Sequence, residues 1–310
     1  MNKIKTKVSK ETNYIYHMLS VAKCGYDNAY GDKYMSLHSQ ADLKTLKDNE
    51  PLITVKGGEH CGELYHHVVS MPASLDAEAM LYYDSLKHLF ETGNVEENIK
   101  QYEPLYKLFL PTNDPNFAEM TRDFYNHYKK YHSIVPLCEI MTRNYPIYCN
   151  KVWKETEKEL LPYAKDIEDI FNKSELSAKL ESLTNEQLKS DFIATFCNSL
   201  DGGAECIDIS ENQDVFGIAK DYEWAASIIS HEFIIFLLKQ ALVNTTAFKD
   251  MKYWPHTEGL AEFYLSLAGR RAGFKECQDI INFYEELYQG DATLTAPDLY
   301  TKAIEEFHFA

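Results

Sequence analysis

The feature that most constrains this chain is a helix without a polar face. Trp224, Ile228, Ile229, Phe233, Ile234, Ile235, Phe236, Leu237, Leu238 and Leu242 fall at nearly every angle of a 3.6-residue turn. A helix that is apolar almost all round must be enclosed by the rest of a fold. With 310 residues the chain is long enough to do this, as one large domain or two ordinary ones. Two ionisable residues, His231 and Glu232, stand in the middle of the apolar stretch. A carboxylate in such surroundings is costly without a cation, a metal or hydrogen-bond donors nearby.

Around that helix the chain is organised in two parts. Residues 1–189 read as a mostly helical lobe, and residues 190–310 as a compact core. In the first part, alternation of Ile4, Thr6 and Val8 predicts a short strand, and Ser9 is placed to cap the helix after it. A strand-like stretch at Leu52–Val55 lies in a glycine-rich region. Helical periodicity starts at Ser74 and recurs at about 96–108, 115–132, 151–172 and 175–190, with Pro111, Pro115, Pro136 and Pro146 as breaks. In the second part, two β-rich runs joined by a Gly202-Gly203 turn predict a hairpin over 191–208. Helices are then expected at about 220–245, 256–270 and 276–289. The fold class expected is α+β, predominantly α-helical, with a functional cleft between the two parts.

Charge and cysteine content narrow the function classes. The net charge of −17 argues against a nucleic-acid binder or a protein held on anionic lipid, since both use clustered Lys and Arg. No apolar run approaches the roughly 20 residues needed to span a bilayer, and the basic N-terminal residues are not followed by a signal-peptide core. Seven scattered cysteines without a CxxC pair fit reduced thiols in a cytoplasmic protein.

The second informative stretch follows 27 residues after His231. His256, Thr257, Glu258, Gly259, Leu260, Ala261 and Glu262 open the next helix, and Glu258 and Glu262, four apart, share one face. A His-Glu pair on a buried helix facing carboxylates from the next helix outlines a metal site. This arrangement resembles the gluzincin branch of the zincin metallopeptidases and zincin-like bacterial relatives. In that family HExxH sets two histidines one helical turn apart on zinc, the intervening glutamate is general base to a zinc-bound water, and a later helix supplies a glutamate ligand. Carried over, the resemblance implies His231 and Glu258 as metal ligands and Glu232 as catalytic base. It covers residues 190–270, where the hairpin stands in the place of the strand lining the zincin substrate cleft.

At the second-ligand position the chain has Ile235, which cannot bind zinc. The expected function is therefore a metallopeptidase-like protein with an incomplete zinc site, catalytically inactive, binding zinc weakly or not at all, and keeping a cleft for a peptide or protein. One alternative is an active zinc hydrolase in which His256 or Glu262 replaces the missing ligand. Another is a non-enzymatic helical interaction protein, in which His231 is a satisfied core histidine, Glu232 bonds a backbone turn or a tyrosine hydroxyl, Thr257 is an N-cap, and Glu258 is a first-turn acid favoured by the helix dipole. A His- and Cys-containing run, Gly57–His67, matches no zinc-finger spacing and reads as a surface loop.

Overall fold

The computed structural model describes residues 2–54, 76–106, 117–200, 206–210, 212–245, 247–273 and 277–309. The Gly57–His67 run and Val55 lie outside them. The protein is predominantly helical α+β, built around one four-stranded sheet: β1 (Ile4–Lys7), β2 (Phe192–Cys197), β3 (Cys206–Ser210) and β4 (Gln213–Gly217), in the order β1-β2-β4-β3. β1 pairs with β2, and β2 with β4, in parallel; β3 runs antiparallel to β4 along the edge, with an irregularity between Asp208 and Ser210. Both β-rich runs expected between 191 and 208 are strands, but they are not a hairpin with each other. β4 lies between them, and the antiparallel pair is β3 with β4. Gly202 and Gly203 lie outside the described residues; their turn signal predicts the wrong partners, because a local turn signal does not encode which strands pair.

Successive residues of a strand face opposite sides of the sheet, and each face has its own core. Ile4, Phe192, Ala194, Phe196 and Phe216 look into a core formed by α9 (Lys154–Ser174), α10 (Leu176–Thr184), α11 (Tyr222–Leu242), α12 (Trp254–Leu267), α13 (Gln278–Gly290) and α14 (Ala296–Glu306). Cys197 and Val215 look the other way, into a core with α1 (Lys10–Val21), α2 (Ala29–Tyr34), α3 (Gln40–Asp48), α4 (Glu50–Ile53), α5 (Asp76–Thr92), α6 (Val95–Tyr106), α7 (Phe117–Tyr128) and α8 (Ile134–Tyr148). In packing terms the division falls near Trp153, and β1 crosses it to join the C-terminal core.

The strand-like stretch at Leu52 is instead the helical turn α4, with Pro51 in its first turn, where the missing N–H is not needed. Helix α8 runs through two prolines that by themselves predict breaks. Pro136 sits in its first turn, for the same reason harmless; Pro146 sits in its last turn, and the backbone widens into a π-helical turn at Cys149–Trp153 before continuing as α9. α11 spans the predicted helix and is capped by Asp221, whose carboxylate accepts from the Glu223 and Trp224 amides. Its 21 residues and apolar character would suffice to cross a membrane, contrary to the expectation from run length, but it is a core helix, buried from Ala225 to Ser230 and from Phe233 to Leu238.

Candidate functional site

His231 lies on the side of α11 that meets α12. The two helices pack directly, and close approach of α12 to α13 is permitted by Gly259, where a Cβ would stand 2.4 Å from Ile280 Cγ2. Glu258 and Glu262, one turn apart on α12, point back at His231 from opposite sides of its ring. Nε2 of His231 is 2.7 Å from Glu258 Oε2, and Nδ1 is 2.7 Å from Glu262 Oε1. His231 and Glu262 are enclosed, whereas Glu258 keeps 26% of its side chain exposed, so solvent reaches the cluster from the Glu258 side. The Gly273 amide donates to the second oxygen of Glu262 at 3.3 Å.

Electrostatics follow from that geometry. Burial by itself would push the imidazole down; the hydrogen bonds to Glu258 and Glu262, with the charges of Glu232 and Glu258, outweigh it and raise His231 to about 10. Near neutral pH the ring is then an imidazolium donating from both nitrogens to two carboxylates, an arrangement of charge-assisted bonds. Glu232, half-buried on α11 beside His231, contributes charge to the same locus.

The structure thus brings together His231, Glu258 and Glu262, with Glu232 next to them. Ile235, one turn beyond His231, is 2% exposed and part of the apolar core. His256 does not join the cluster. Its ring packs against Tyr253, Phe307 and Phe309, which corrects its reading as a substitute ligand: two residues before Glu258 is a rotation of about 200° on a helix, the opposite face. Thr257 is not an N-cap either, because α12 begins at Trp254; its hydroxyl meets that of Tyr300 at 3.4 Å. Glu262 was legible from its spacing to Glu258, but its contact with the nitrogen opposite Glu258 was not.

A hydrolytic zinc takes three protein ligands and a water. On this donor set two groups, His231 Nε2 and Glu258, converge, Glu262 is committed to the far side of the ring, and Ile235 offers no donor. Among the described residues the donors that converge here are one fewer than a hydrolytic zinc takes. A groove of about 670 Å³, lined by Leu188, Lys189, Phe236, Lys239, Val243 and Phe248, lies beyond the site toward the C-terminal end of α11.

Comparison with known protein families, with curated proteins and with solved structures finds no match to this chain.

Proposed function

We propose that this is a zincin-related, metallopeptidase-like protein whose metal centre is incomplete and whose cleft now binds a peptide or protein without cleaving it. The observation that carries the reading is the assignment of partners round His231. In zinc sites the ligating histidine donates its second nitrogen to a carboxylate that fixes the ring, while the first faces the metal. Glu262 on Nδ1 has the orienting position, and Glu258 facing Nε2 has that of the ligand glutamate. Ile235, where a second histidine would complete the set, favours a lost centre. Turning of His256 toward Phe307 and Phe309 weighs against an active hydrolase with a substitute ligand. Cys24, Cys138 and Cys197 are buried free thiols, which supports a cytoplasmic location.

The test is Ile235→His, with calorimetry in the presence of zinc and of chelator. Without metal the variant should melt below the parent, by roughly one to three kcal/mol, because a polar ring replaces a buried branched alkyl group. With free zinc at 100 times the dissociation constant, binding should restore about 2.7 kcal/mol. A variant destabilised yet indifferent to zinc would sink the reading. Stoichiometric zinc in the unmodified protein, purified without chelator, would favour the active hydrolase instead.

A further inference from the structure

The N-terminal lobe contains a second buried polar chain, separate from the site above and on the other face of the sheet. His17, on α1, is fully buried; His38, just after the 3₁₀ turn Met35–Leu37, is 5% exposed. Their Nε2 atoms face each other at 2.9 Å. His17 Nδ1 is 3.0 Å from the Tyr30 hydroxyl, and His38 Nδ1 is 2.8 Å from Asn144 Oδ1. Asn144 Nδ2 meets Asp42 and the Ile140 carbonyl, each at 2.9 Å, and Arg143 bonds Asp42 through two nitrogens.

This connectivity fixes where the protons sit. Asn144 Nδ2 faces two acceptors, so Oδ1 must accept from His38 Nδ1–H. A neutral His38 then presents a lone pair at Nε2, His17 donates to it from Nε2–H, and the Tyr30 hydroxyl donates to His17 Nδ1. Each member is satisfied with no charge from Tyr30 to Asn144. One added proton is accommodated on His17 Nδ1 only if the Tyr30 hydroxyl turns to accept from it, leaving a single proton between the two Nε2 atoms. A second sets N–H against N–H across 2.9 Å.

Among the described residues no anion is placed to compensate. His17 is surrounded by Tyr30 and Tyr34 from α2, Tyr148 from α8 and His38. The carboxylate nearest His38, Asp42 of α3, is reached through Asn144 and committed to Arg143. At the start of α1, Glu11 accepts from Ser9 and Tyr145, and Glu155 of α9 accepts from the Tyr34 hydroxyl and from Lys33. Burial accordingly pushes both histidines down, His17 well below its ordinary range with His38 adding to the effect, and His38 despite Asn144 and Asp42.

We infer that the His17–His38 pair is an acid-sensitive lock, joining α1, the segment after α2, and α8, which releases the N-terminal lobe from the sheet when the pair takes up protons. α1 is fastened to β2 and to the segment just after it, by Asn13 Nδ2 to the Phe196 carbonyl and Ser20 to the Ser199 carbonyl, both at 2.9 Å. Its release uncovers the sheet face carrying Cys197 and Val215, while the opposite core keeps its own contacts.

Hydrogen exchange of the whole protein at pH 7.5 and 5.0, corrected for intrinsic rates, tests this. Protection of α1 and α8 should fall about tenfold or more at pH 5.0, and that of α10, a histidine-free helix of the other core, should change less than about threefold. In the doubly substituted His17→Gln, His38→Gln protein the selective fall should disappear. Equal loss in α10, no loss in α1, or an unchanged fall in the double variant would each overturn the proposal. Should that variant not fold, ring-nitrogen spectra of the parent decide. Both rings should be neutral at pH 6.5 and gain protons together with the exchange of α1; either ring charged at pH 6.5 with α1 still protected refutes the lock.

Discussion

In the C-terminal core His231 has a carboxylate on each ring nitrogen; in the N-terminal lobe His17 and His38 have each other, a tyrosine hydroxyl and an amide. All three rings are buried, so desolvation acts on all of them in the same direction. The partners decide the outcome. Two anions at 2.7 Å make the first ring a retained cation, whereas a neutral polar chain makes the other two retained neutral groups. One fold therefore holds two histidine centres with opposite responses to pH. A raised histidine gives stability that is complete below about 6.5 and lost as pH rises through about 10. A depressed pair gives stability that is complete above about 6.5 and lost as pH falls.

The contrast is broken most severely by removing one of the anions. Glu262→Ala leaves a buried imidazolium with half its compensation, and urea unfolding at pH 7 should report a loss of roughly 3–5 kcal/mol. A near-neutral result would mean that His231 is uncharged in the folded protein. Raising the pH of the parent should sharpen the same point. Stability followed by denaturant midpoint should drop by a few kcal/mol between pH 8 and 11, with a slope of at most about 1.4 kcal/mol for each pH unit, and the drop should vanish in His231→Gln. Gly259→Ala tests the packing that presses α12 between its neighbours. Its new methyl meets Ile280, and a loss of about 1–3 kcal/mol is expected in thermal unfolding, with no change in the acid response of α1. The smallest effect belongs to the neutral centre. Tyr30→Phe removes one hydrogen bond to His17 and should cost about 1 kcal/mol at pH 7.5, read in the same urea assay. A loss as large as that of Glu262→Ala would contradict the distinction between a charged and an uncharged centre.

What the amino-acid order determined by itself was chiefly what local periodicity and burial dictate. An all-round apolar segment has to be a helix enclosed by other apolar groups, and α11 is enclosed by the protein itself. The spacing of Glu258 and Glu262 required a shared helical face, and both reach His231 from it. Ser9 caps α1, accepting from the Thr12 amide at 3.2 Å. Pairing, by contrast, is a non-local property. Nothing in the order of residues 191–208 says that β2 prefers β1 and β4 to β3, because strand order depends on which partners the helices leave open. Pro136 and Pro146 carry the usual sign of a break, but the first lies in the opening turn of α8 and the second is followed by a π-helical turn through which the helix continues. The partners of His231 show the same limit. Sequence spacing could bring Glu258 and Glu262 toward one histidine, but the crossing of α11 and α12 decided that they take opposite nitrogens, and that His256 faces away. His17, His38, Asp42 and Asn144 are up to 127 residues apart in the chain and share no motif. They meet because α1, α3 and α8 pack around one polar seam, and a hydrogen-bonded chain of that kind exists only once the tertiary structure has excluded water from it.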